Sequence, residues 1–239
     1  RAAMLKLAMS AEEQAGGAVL QWWGGDGAAE VFARDADAIL MERAEGAASL
    51  TEMARTSRDN EACHILCAVA ARLHAPRHAS PPPVVPLAQM FRDLDIAAAK
   101  HGGVFARSAE TARTLLASPR EVCVLHGDLH HDNVLDFGAR GWRAIDPKAL
   151  IGERGFDFAN IFTNPDLADL SRPVATDPAR FARRVAVVSE AARIAPARLL
   201  QWIVAWTGLS ASWFLDDDDT AHAAIDLRIA ELALAALAR

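Results

Sequence analysis

The feature that most constrains this chain is a polar run of sequence HGDLHHDN at residues 126–133, followed thirteen residues later by Asp146. Short apolar runs, VCVL at 122–125 and WRAI at 142–145, precede these two polar sites. Short runs of this kind predict β-strands. We therefore expect the polar run and Asp146 to follow two strands, with their side chains projecting into one cleft.

Three residues in this segment have the types and order that phosphoryl transfer requires. Such a site needs an Asp that accepts the proton of the acceptor hydroxyl. It also needs an Asn five residues later and a second Asp, which together hold magnesium on the nucleotide phosphates. Asp128, Asn133 and Asp146 supply these groups in that order. The pattern predicts an enzyme that uses ATP and Mg²⁺.

The adjacent residues His130 and His131 leave a second interpretation open. Imidazole and carboxylate groups together suit zinc, iron or manganese, and GDLH at 127–130 resembles the first block of a metallophosphoesterase. That class needs further downstream blocks of the types GDxxD and GNH, and neither occurs in this sequence. Short motifs of this kind match by chance, so phosphoryl transfer is the better interpretation.

The segment from His126 to Phe162, of sequence HGDLHHDNVLDFGARGWRAIDPKALIGERGFDFANIF, resembles the signature of the aminoglycoside and hydroxyurea phosphotransferases. Within that family the similarity is greatest to the kinases that phosphorylate streptomycin at the 6 position. Pro147 and Lys148 follow Asp146 where protein kinases have Phe-Gly, which indicates the small-molecule branch. The resemblance implies an α+β, protein-kinase-like fold of two lobes, the C-terminal lobe being mainly helical.

The same resemblance assigns roles to residues of the segment. It implies that Asp128 is the catalytic base and that Asn133 and Asp146 are the magnesium ligands. It also implies that Asp157 braces the catalytic loop. His126 is expected to orient the backbone of this loop and not to transfer a proton.

Upstream, AMLKL at residues 3–7 resembles the family's strand whose lysine contacts the nucleotide α- and β-phosphates, so Lys6 is the candidate. A following helix should offer a carboxylate that holds this lysine. Glu13 matches the family position best, and Glu12 remains an alternative. In this fold two strands and a phosphate-covering turn precede the lysine strand, so a lysine at position 6 leads us to expect a truncated N-terminal lobe.

Residues 38–44, of sequence AILMERA, resemble the strand that enters the hinge between the lobes, whose backbone binds adenine in this fold. Met41 and Glu42 are therefore expected beside the nucleotide. We expect residues 1–45 to be the remnant of the nucleotide-binding lobe. Residues 46–239 are expected to form the lobe that carries the catalytic and substrate-binding groups.

Local signals outline the remaining elements. Apolar residues at three- and four-residue spacing predict amphipathic helices, and a capping residue followed by proline predicts a helix start. Proline-rich residues 76–86 predict an extended linker, and Gly24–Gly27 predicts a turn. Helices are expected over 60–74, 87–100, 104–117 and 178–194, after Pro196, and at the C-terminus.

Composition narrows the function classes. The chain has 239 residues, 52% of them apolar, which is enough for a substantial core. Its net charge of −6 argues against a nucleic-acid partner, which would need clustered Lys and Arg, and suits a cationic substrate. The three cysteines predict buried thiols in a reducing cytoplasm, not a disulfide framework. The apolar stretch 199–215 is shorter than the roughly 20 residues that span a bilayer, so no membrane partner is expected.

Four acidic residues are candidates for binding a cationic substrate. Asp216 and Asp217 begin a run of four aspartates that either binds ammonium or guanidinium groups or forms a solvated turn between two helices. Glu153 and Asp157 follow the metal-binding hairpin, where either side chain faces the cleft or the interior. We expect Asp157 to be structural and leave Glu153 open.

The function predicted from sequence is transfer of the γ-phosphoryl group of ATP to a hydroxyl of an aminoglycoside, with streptomycin as the expected acceptor. The alternatives are a kinase for hydroxyurea or another small alcohol, and a catalytically inactive kinase-like fragment that only binds nucleotide. A monomer or weak dimer is expected.

Overall fold

A computed structural model describes residues 2–239. Its N-terminal part is an antiparallel sheet of order β1-β3-β2, made of β1 (Ala3–Leu7), β2 (Val31–Arg34) and β3 (Ala38–Glu42). Lys6 on β1 lies opposite Ile39 on β3. The strands expected around Lys6 and in the first part of residues 38–44 are thus confirmed.

Helix α1 (Ala11–Trp23) connects β1 to β2 and has a signal at each end. At its start, the Ser10 hydroxyl accepts from the Glu13 N–H at 3.2 Å, and the Glu13 carboxylate accepts from the Met9 N–H at 2.6 Å. This reciprocal arrangement satisfies backbone donors that the first helical turn leaves unpaired. Gly24 ends the helix with φ of 61°, a conformation that glycine adopts without steric cost. The expected Gly24–Gly27 turn is therefore a helix stop.

The middle of the chain is helical, with α2 (Leu50–Ala54), α3 (Asp59–Leu73), α4 (Leu87–Met90), α5 (Arg92–His101) and α6 (Gly103–Ala117). The single helix expected over 87–100 is two helices, divided at Phe91. The Phe91 ring is buried against Phe156 and Trp202, with ring centroids 5.9 and 6.3 Å away. The break between α4 and α5 coincides with this long-range packing of the Phe91 ring. The local periodicity of apolar residues does not reveal it.

The proline-rich linker ends in a short strand, β4 (Val85–Pro86), which pairs in parallel with β8 (Leu150–Glu153). On its other side β8 pairs antiparallel with β5 (Val122–Leu125), so this sheet has the order β4-β8-β5. Proline is tolerated in β4 because the strand lies at the edge of the sheet. The sheet supports the segment that precedes residues 126–133.

Strands β6 (Val134–Asp136) and β7 (Trp142–Ala144) form a separate antiparallel hairpin. The run 126–133 therefore connects β5 to β6, and Asp146 follows the end of β7. Consecutive 3₁₀ turns cover Arg154–Phe162 after β8. Both polar sites lie at strand ends, as the sequence predicted.

Three long helices complete the chain: α7 (Pro178–Ala192), α8 (Pro196–Asp216) and α9 (Thr220–Leu237). The predicted start of α7 is confirmed, because the Asp177 carboxylate accepts from the Arg180 N–H at 2.7 Å. Helix α8 is buried along most of its length and packs against α6, α9 and the turns of residues 154–162. Across residues 2–239, no helix combines the length and the apolar character needed to cross a membrane.

One hydrophobic core runs through the molecule. Buried residues of α1 and β3, such as Val19, Trp23 and Met41, belong to the same cluster as those of α3, α8 and α9. The core therefore continues across residue 45, and the division into residues 1–45 and 46–239 stays a prediction.

Candidate active site

Two amide side chains hold the carboxylate of Asp128. Asn160 Nδ2 donates to Asp128 Oδ1 at 2.6 Å, and Asn133 Nδ2 lies 3.2 Å from Oδ2. Asn133 Nδ2 also donates to the backbone carbonyl of Asp128 at 2.8 Å. Because the Asp128 side chain is still 29% exposed, it is oriented and yet reachable, as a general base must be.

Behind the loop, the carboxylate of Asp157 holds the backbone in place. Its two oxygens accept from the N–H groups of His126 and Gly127, both at 2.8 Å. His74 Nε2 lies 2.7 Å from Asp157 Oδ2. Burial would raise the pKa of Asp157, but the hydrogen bond and charge of His74, with smaller contributions from His126 and the Gly127 N–H, lower this pKa overall. Asp157 is thus placed to brace the loop through these bonds.

His126 connects the catalytic loop to the strand that leads to Asp146. Its Nε2 lies 2.7 Å from the Ile145 carbonyl, and its Nδ1 accepts from the Asp128 N–H at 3.2 Å. Burial lowers the pKa of this imidazole, so the neutral ring with its proton on Nε2 satisfies both contacts. The ring also stacks on Trp23. These contacts match the structural role expected for His126.

Asp146 emerges from the hairpin in a left-handed conformation, with φ of 56°. This conformation is uncommon for residues other than glycine, although Asp adopts it more readily than most. The Ile145 N–H donates to the Asn133 carbonyl at 2.9 Å, which brings the two expected magnesium ligands to neighbouring positions. Asp146 Oδ1 lies 2.7 Å from Lys6 Nζ.

These groups surround a cavity of about 200 Å³, here called the catalytic cavity. Oxygen donors such as a carboxylate and an amide carbonyl suit magnesium. Asn133 directs its Nδ2 at Asp128, which leaves its amide oxygen as the ligand atom. The polar residues that line the cavity are Lys6, Glu12, Glu13, Asp128, His130, Asn133, Asp146 and Lys148.

His131 does not belong to this cavity. Its ring is buried, and burial together with the charges of Arg184 and Arg55 lowers its pKa well below the usual value. Within the described residues, no group of three or more His, Cys, Asp and Glu side chains is arranged to hold a metal ion. The His130–His131 pair therefore does not form the metal centre considered in the alternative interpretation.

The predicted pair between Lys6 and Glu13 does not form, and this expectation needs correction. Glu13 lines the catalytic cavity, but its carboxylate accepts from the Met9 N–H and completes the cap of α1. Lys6 pairs with Asp146 instead. The alternative, Glu12, forms an ion pair with Lys148, with 3.0 Å between Oε1 and Nζ.

A second cavity of about 360 Å³, here called the base cavity, shares Lys6 and Asp146 with the first. It is lined by Met41 and Glu42, which were predicted to lie beside the nucleotide, and by apolar residues such as Leu135 and Phe137. A mainly apolar slot suits a flat aromatic base. The Glu42 carboxylate lies 3.2 Å from Arg140 Nη1, so its charge is already paired.

Two of the four candidates for substrate binding, Glu153 and Asp157, have buried side chains and do not face a cavity. Glu153, 4% exposed, accepts from Arg198 through both oxygens, from Trp202 Nε1 at 2.8 Å and from the Arg120 N–H at 2.9 Å. Asp157 is fully buried behind the loop. Buried charges persist only where they are paired and hydrogen-bonded. Both carboxylates are used by partners inside the protein and are not available to a substrate.

Asp216 is the last residue of α8, and Asp217 begins the turn that leads to α9. Asp216 Oδ1 is 3.6 Å from Lys100 Nζ on the surface, and the next helix is capped by Asp219, which accepts from the His222 N–H. Neither Asp216 nor Asp217 lines the catalytic or the base cavity. The placement corresponds to the solvated turn between helices.

The sequence interpretation missed three residues that contact the site. Asn160 orients Asp128, Lys148 lines the catalytic cavity, and His74 contacts Asp157. Asn160 and Lys148 lie within residues 126–162, the segment that resembles the family signature, so the resemblance already pointed to their positions. His74 carries no local signal, because it lies 83 residues from its partner.

The fold and the site define a small-molecule kinase of the protein-kinase-like class. Solved structures that share the fold include amicoumacin kinase, with a TM-score of 0.65 and 15% identity over 96% of this chain and 81% of that chain. Aminoglycoside phosphotransferase APH(3'')-Id from Streptomyces rimosus, in complex with ADP and streptomycin, has a TM-score of 0.56 and 18% identity over 87% and 86%.

Residues 1–218 match the aminoglycoside/hydroxyurea antibiotic resistance kinase family, and the chain belongs to that family. It is 56% identical to the streptomycin 3''-kinase of Klebsiella pneumoniae over 97% of this chain and 87% of that protein. The streptomycin 6-kinase of Streptomyces griseus is 30% identical over 96% and 76%. The family resemblance is confirmed, although identity is higher to the 3''-kinase than to this 6-kinase. The protein is a phosphotransferase with an alcohol group as acceptor.

Proposed function

We propose that this protein transfers the γ-phosphoryl group of ATP to a hydroxyl of streptomycin. The observation that carries the proposal is the position of Asp128, oriented by Asn160 and Asn133 in a cavity that also contains Lys6 and Asp146. The high identity to a streptomycin 3''-kinase supports streptomycin as the acceptor. The net charge of −6 favours a cationic molecule of this kind.

In the proposed reaction the acceptor oxygen attacks the γ-phosphorus, the bond from that phosphorus to the β,γ-bridging oxygen breaks, and ADP leaves. Asp128 accepts the proton that the hydroxyl loses. Asn133 and Asp146 would hold Mg²⁺, which neutralises charge on the β- and γ-phosphates. Lys6, at 2.7 Å from Asp146, is placed to contact the same phosphates. Most of the rate enhancement then comes from positioning and electrostatics.

The base cavity is proposed to hold adenine, with Met41 in its wall. Its connection to the catalytic cavity through Lys6 and Asp146 suits a nucleotide whose base and phosphates occupy the two spaces. Because the reaction consumes ATP, we propose that it takes place in the cytoplasm. Cys63, Cys67 and Cys123 are all free thiols, in keeping with a reducing compartment.

A second candidate acceptor is hydroxyurea. The hydroxyurea phosphotransferase of Kitasatospora aureofaciens is 31% identical, over 68% of this chain and 50% of that protein. The same catalytic groups would serve either hydroxyl. The choice between streptomycin and hydroxyurea therefore depends on the size and charge of the space that binds the acceptor.

The test is Mg²⁺-dependent release of ADP from ATP, measured with streptomycin, with hydroxyurea and without acceptor. Release that requires streptomycin and disappears in Asp128→Asn supports the proposal. Release that occurs with hydroxyurea but not with streptomycin supports hydroxyurea as the acceptor instead. ATP binding without turnover on either compound indicates a nucleotide-binding protein with another acceptor or with no activity.

A further inference from the structure

Lysine is rare in this chain and is concentrated at the catalytic cavity. Only three of the 25 Lys and Arg residues are lysines, and two of them, Lys6 and Lys148, line that cavity. The third, Lys100, lies on the surface with its Nζ 3.6 Å from Asp216 Oδ1. No arginine occurs among the described residues that line the catalytic cavity. An ammonium group is a compact point charge that suits phosphate oxygens, yet the proposed reaction uses Lys6 and gives no role to Lys148.

The backbone of Lys148 is fixed to the catalytic loop. Its N–H donates to the His126 carbonyl at 2.7 Å. Gly127 has φ of 83°, and a Cβ added to it would lie 2.8 Å from Lys148 Cβ. Glycine permits both this conformation and this close approach. Lys148 therefore packs against the residue that precedes Asp128 and lines the same cavity as Asp128 does.

The ammonium of Lys148 is paired with the carboxylate of Glu12, with 3.0 Å between Nζ and Oε1. Burial would lower the pKa of Lys148, but its bond to Glu12 and the negative charges of Asp128 and Asp146 raise it overall. The Lys148 and Glu12 side chains are 38% and 58% exposed, and ion pairs at such exposure contribute little stability. The cation can therefore exchange Glu12 for a phosphate oxygen at small cost.

Phosphoryl transfer spreads negative charge over the three equatorial oxygens of the γ-phosphoryl group. Asp128, the proposed base, is itself an anion and repels these oxygens. A cation near Asp128 would offset this repulsion where the phosphoryl group meets the acceptor. Lys148 is such a cation, because the charge of Asp128 acts on its ammonium within the catalytic cavity.

We propose that Lys148 is a catalytic residue whose ammonium contacts the γ-phosphoryl oxygens and stabilises the charge that develops on them during transfer. This inference rests on the proposed function, because it adds a residue to that reaction. The acceptor oxygen bonds to the γ-phosphorus, the bond from that phosphorus to the β,γ-bridging oxygen breaks, and Asp128 receives the hydroxyl proton. Lys148 keeps its own protons throughout, so its effect is electrostatic.

The first test measures, by calorimetry with Mg²⁺, the binding of AMP-PNP, which has a γ-phosphoryl group, and of ADP, which lacks one. Lys148→Gln removes the charge and should raise the Kd for AMP-PNP about tenfold, as expected for the loss of one charge-assisted bond. The Kd for ADP should change little. Lys148→Arg keeps the charge and should retain most of the preference for AMP-PNP. Lys100→Gln is the control, and both of its dissociation constants should equal those of the wild type.

The second test measures turnover with streptomycin. The kcat of Lys148→Gln should fall about 100-fold, the size of effect typical of losing one group that stabilises transition-state charge. The KM for streptomycin should change little, because the acceptor does not contact Lys148 in this proposal. Urea denaturation checks that the variants are folded, and Lys148→Met replaces Lys148→Gln if the latter does not fold.

The inference and the proposed function fail in different ways. Nucleotide binding is measured without an acceptor, so its result does not depend on streptomycin. A variant without the Lys148 charge that keeps the wild-type preference for AMP-PNP, or that loses affinity for AMP-PNP and ADP equally, overturns the role of Lys148 and leaves the proposed function intact. Equal losses in Lys148→Arg and Lys148→Gln would also overturn it, because the charge would not be the cause. If the wild type binds neither nucleotide, the proposed function fails and the inference fails with it.

Discussion

The two faces of the catalytic loop carry carboxylates in opposite environments. On the cavity side, Asp128 and Asp146 have side chains that are 29% and 39% exposed. Behind the loop, Asp157 and Glu153 are 0% and 4% exposed, and every carboxylate oxygen has a partner. The four residues lie within 29 positions of one another in the sequence.

This difference shows how identical chemical groups acquire different roles. A buried carboxylate is tolerated only when charges or donors compensate for its lost hydration. Once all its oxygens are used, it has none left for a ligand. A partly exposed carboxylate keeps an oxygen for a proton or a metal. Substitutions on the cavity side should therefore change turnover, whereas substitutions behind the loop should change stability.

The largest effect is expected for Asp128→Asn. The amide cannot accept the proton of the acceptor hydroxyl, so kcat should fall by about 10³-fold, within the range for loss of a general base. The free energy of unfolding should change little, because Asp128 is partly exposed. ADP release and urea denaturation of the same preparation measure the two quantities. Unchanged turnover would show that Asp128 is not the base.

Asp157→Ala should have the reverse effect, because it should lower the free energy of unfolding. Its removal leaves His74 and the N–H groups of His126 and Gly127 without their acceptor. Removing one partner of a buried charged pair costs about 3–5 kcal/mol, and urea denaturation measures this loss. Asp128→Asn is the control for the cavity side. Equal stability of Asp157→Ala and the wild type would contradict the bracing role.

The pH dependence separates two buried aspartates. The pKa of Asp157 is lowered, so its contribution to stability is complete above the usual unfolded pKa of about 3.9 and disappears as the pH falls through the folded pKa. Burial raises the pKa of Asp226 on α9 well above its usual value, against a smaller effect of the Ser210 hydroxyl. Stability should therefore decline as pH rises from about 4 towards the folded pKa of Asp226.

Asp226→Asn should remove this second dependence. The variant is expected to gain stability relative to the wild type at pH 7.5, and the gain should vanish near pH 3.5, where Asp226 is protonated in both states. Asp157→Ala should show the opposite trend, with its loss largest at pH 7.5. Urea denaturation at the two pH values measures both differences. A gain for Asp226→Asn that is the same at both values would show that its cause is not ionisation.

The smallest effect is expected at the aspartate run between α8 and α9. The double substitution of Asp216 and Asp217 by Asn changes two exposed charges at the C-terminal end of α8, outside the catalytic cavity. The KM for streptomycin should change less than twofold, and stability by less than about 0.5 kcal/mol. A tenfold or larger rise in the KM for streptomycin would restore the aspartate run as the substrate site.

Much of the fold was predictable because its signals are local. The cap of α7 at Asp177, the stop of α1 at Gly24 and the strands on either side of residues 126–133 depend on neighbouring residues only. The break at Phe91 was not predictable, because it accompanies packing on Phe156 and Trp202, which follow 65 and 111 residues later. Periodicity of apolar residues contains no information about such contacts.

The sequence alone predicted Asp128, Asn133 and Asp146 as the catalytic group and the magnesium ligands, because phosphoryl transfer requires these residue types at a characteristic spacing. Only the tertiary structure decided which acidic residues face a cavity. It buried Glu153 against Arg198 and Trp202, and it left Asp128 and Asp146 at the wall of the catalytic cavity. The physical reason is that exposure and pairing of a charge are set by the packing of distant elements, whereas residue type and spacing are properties of the chain itself.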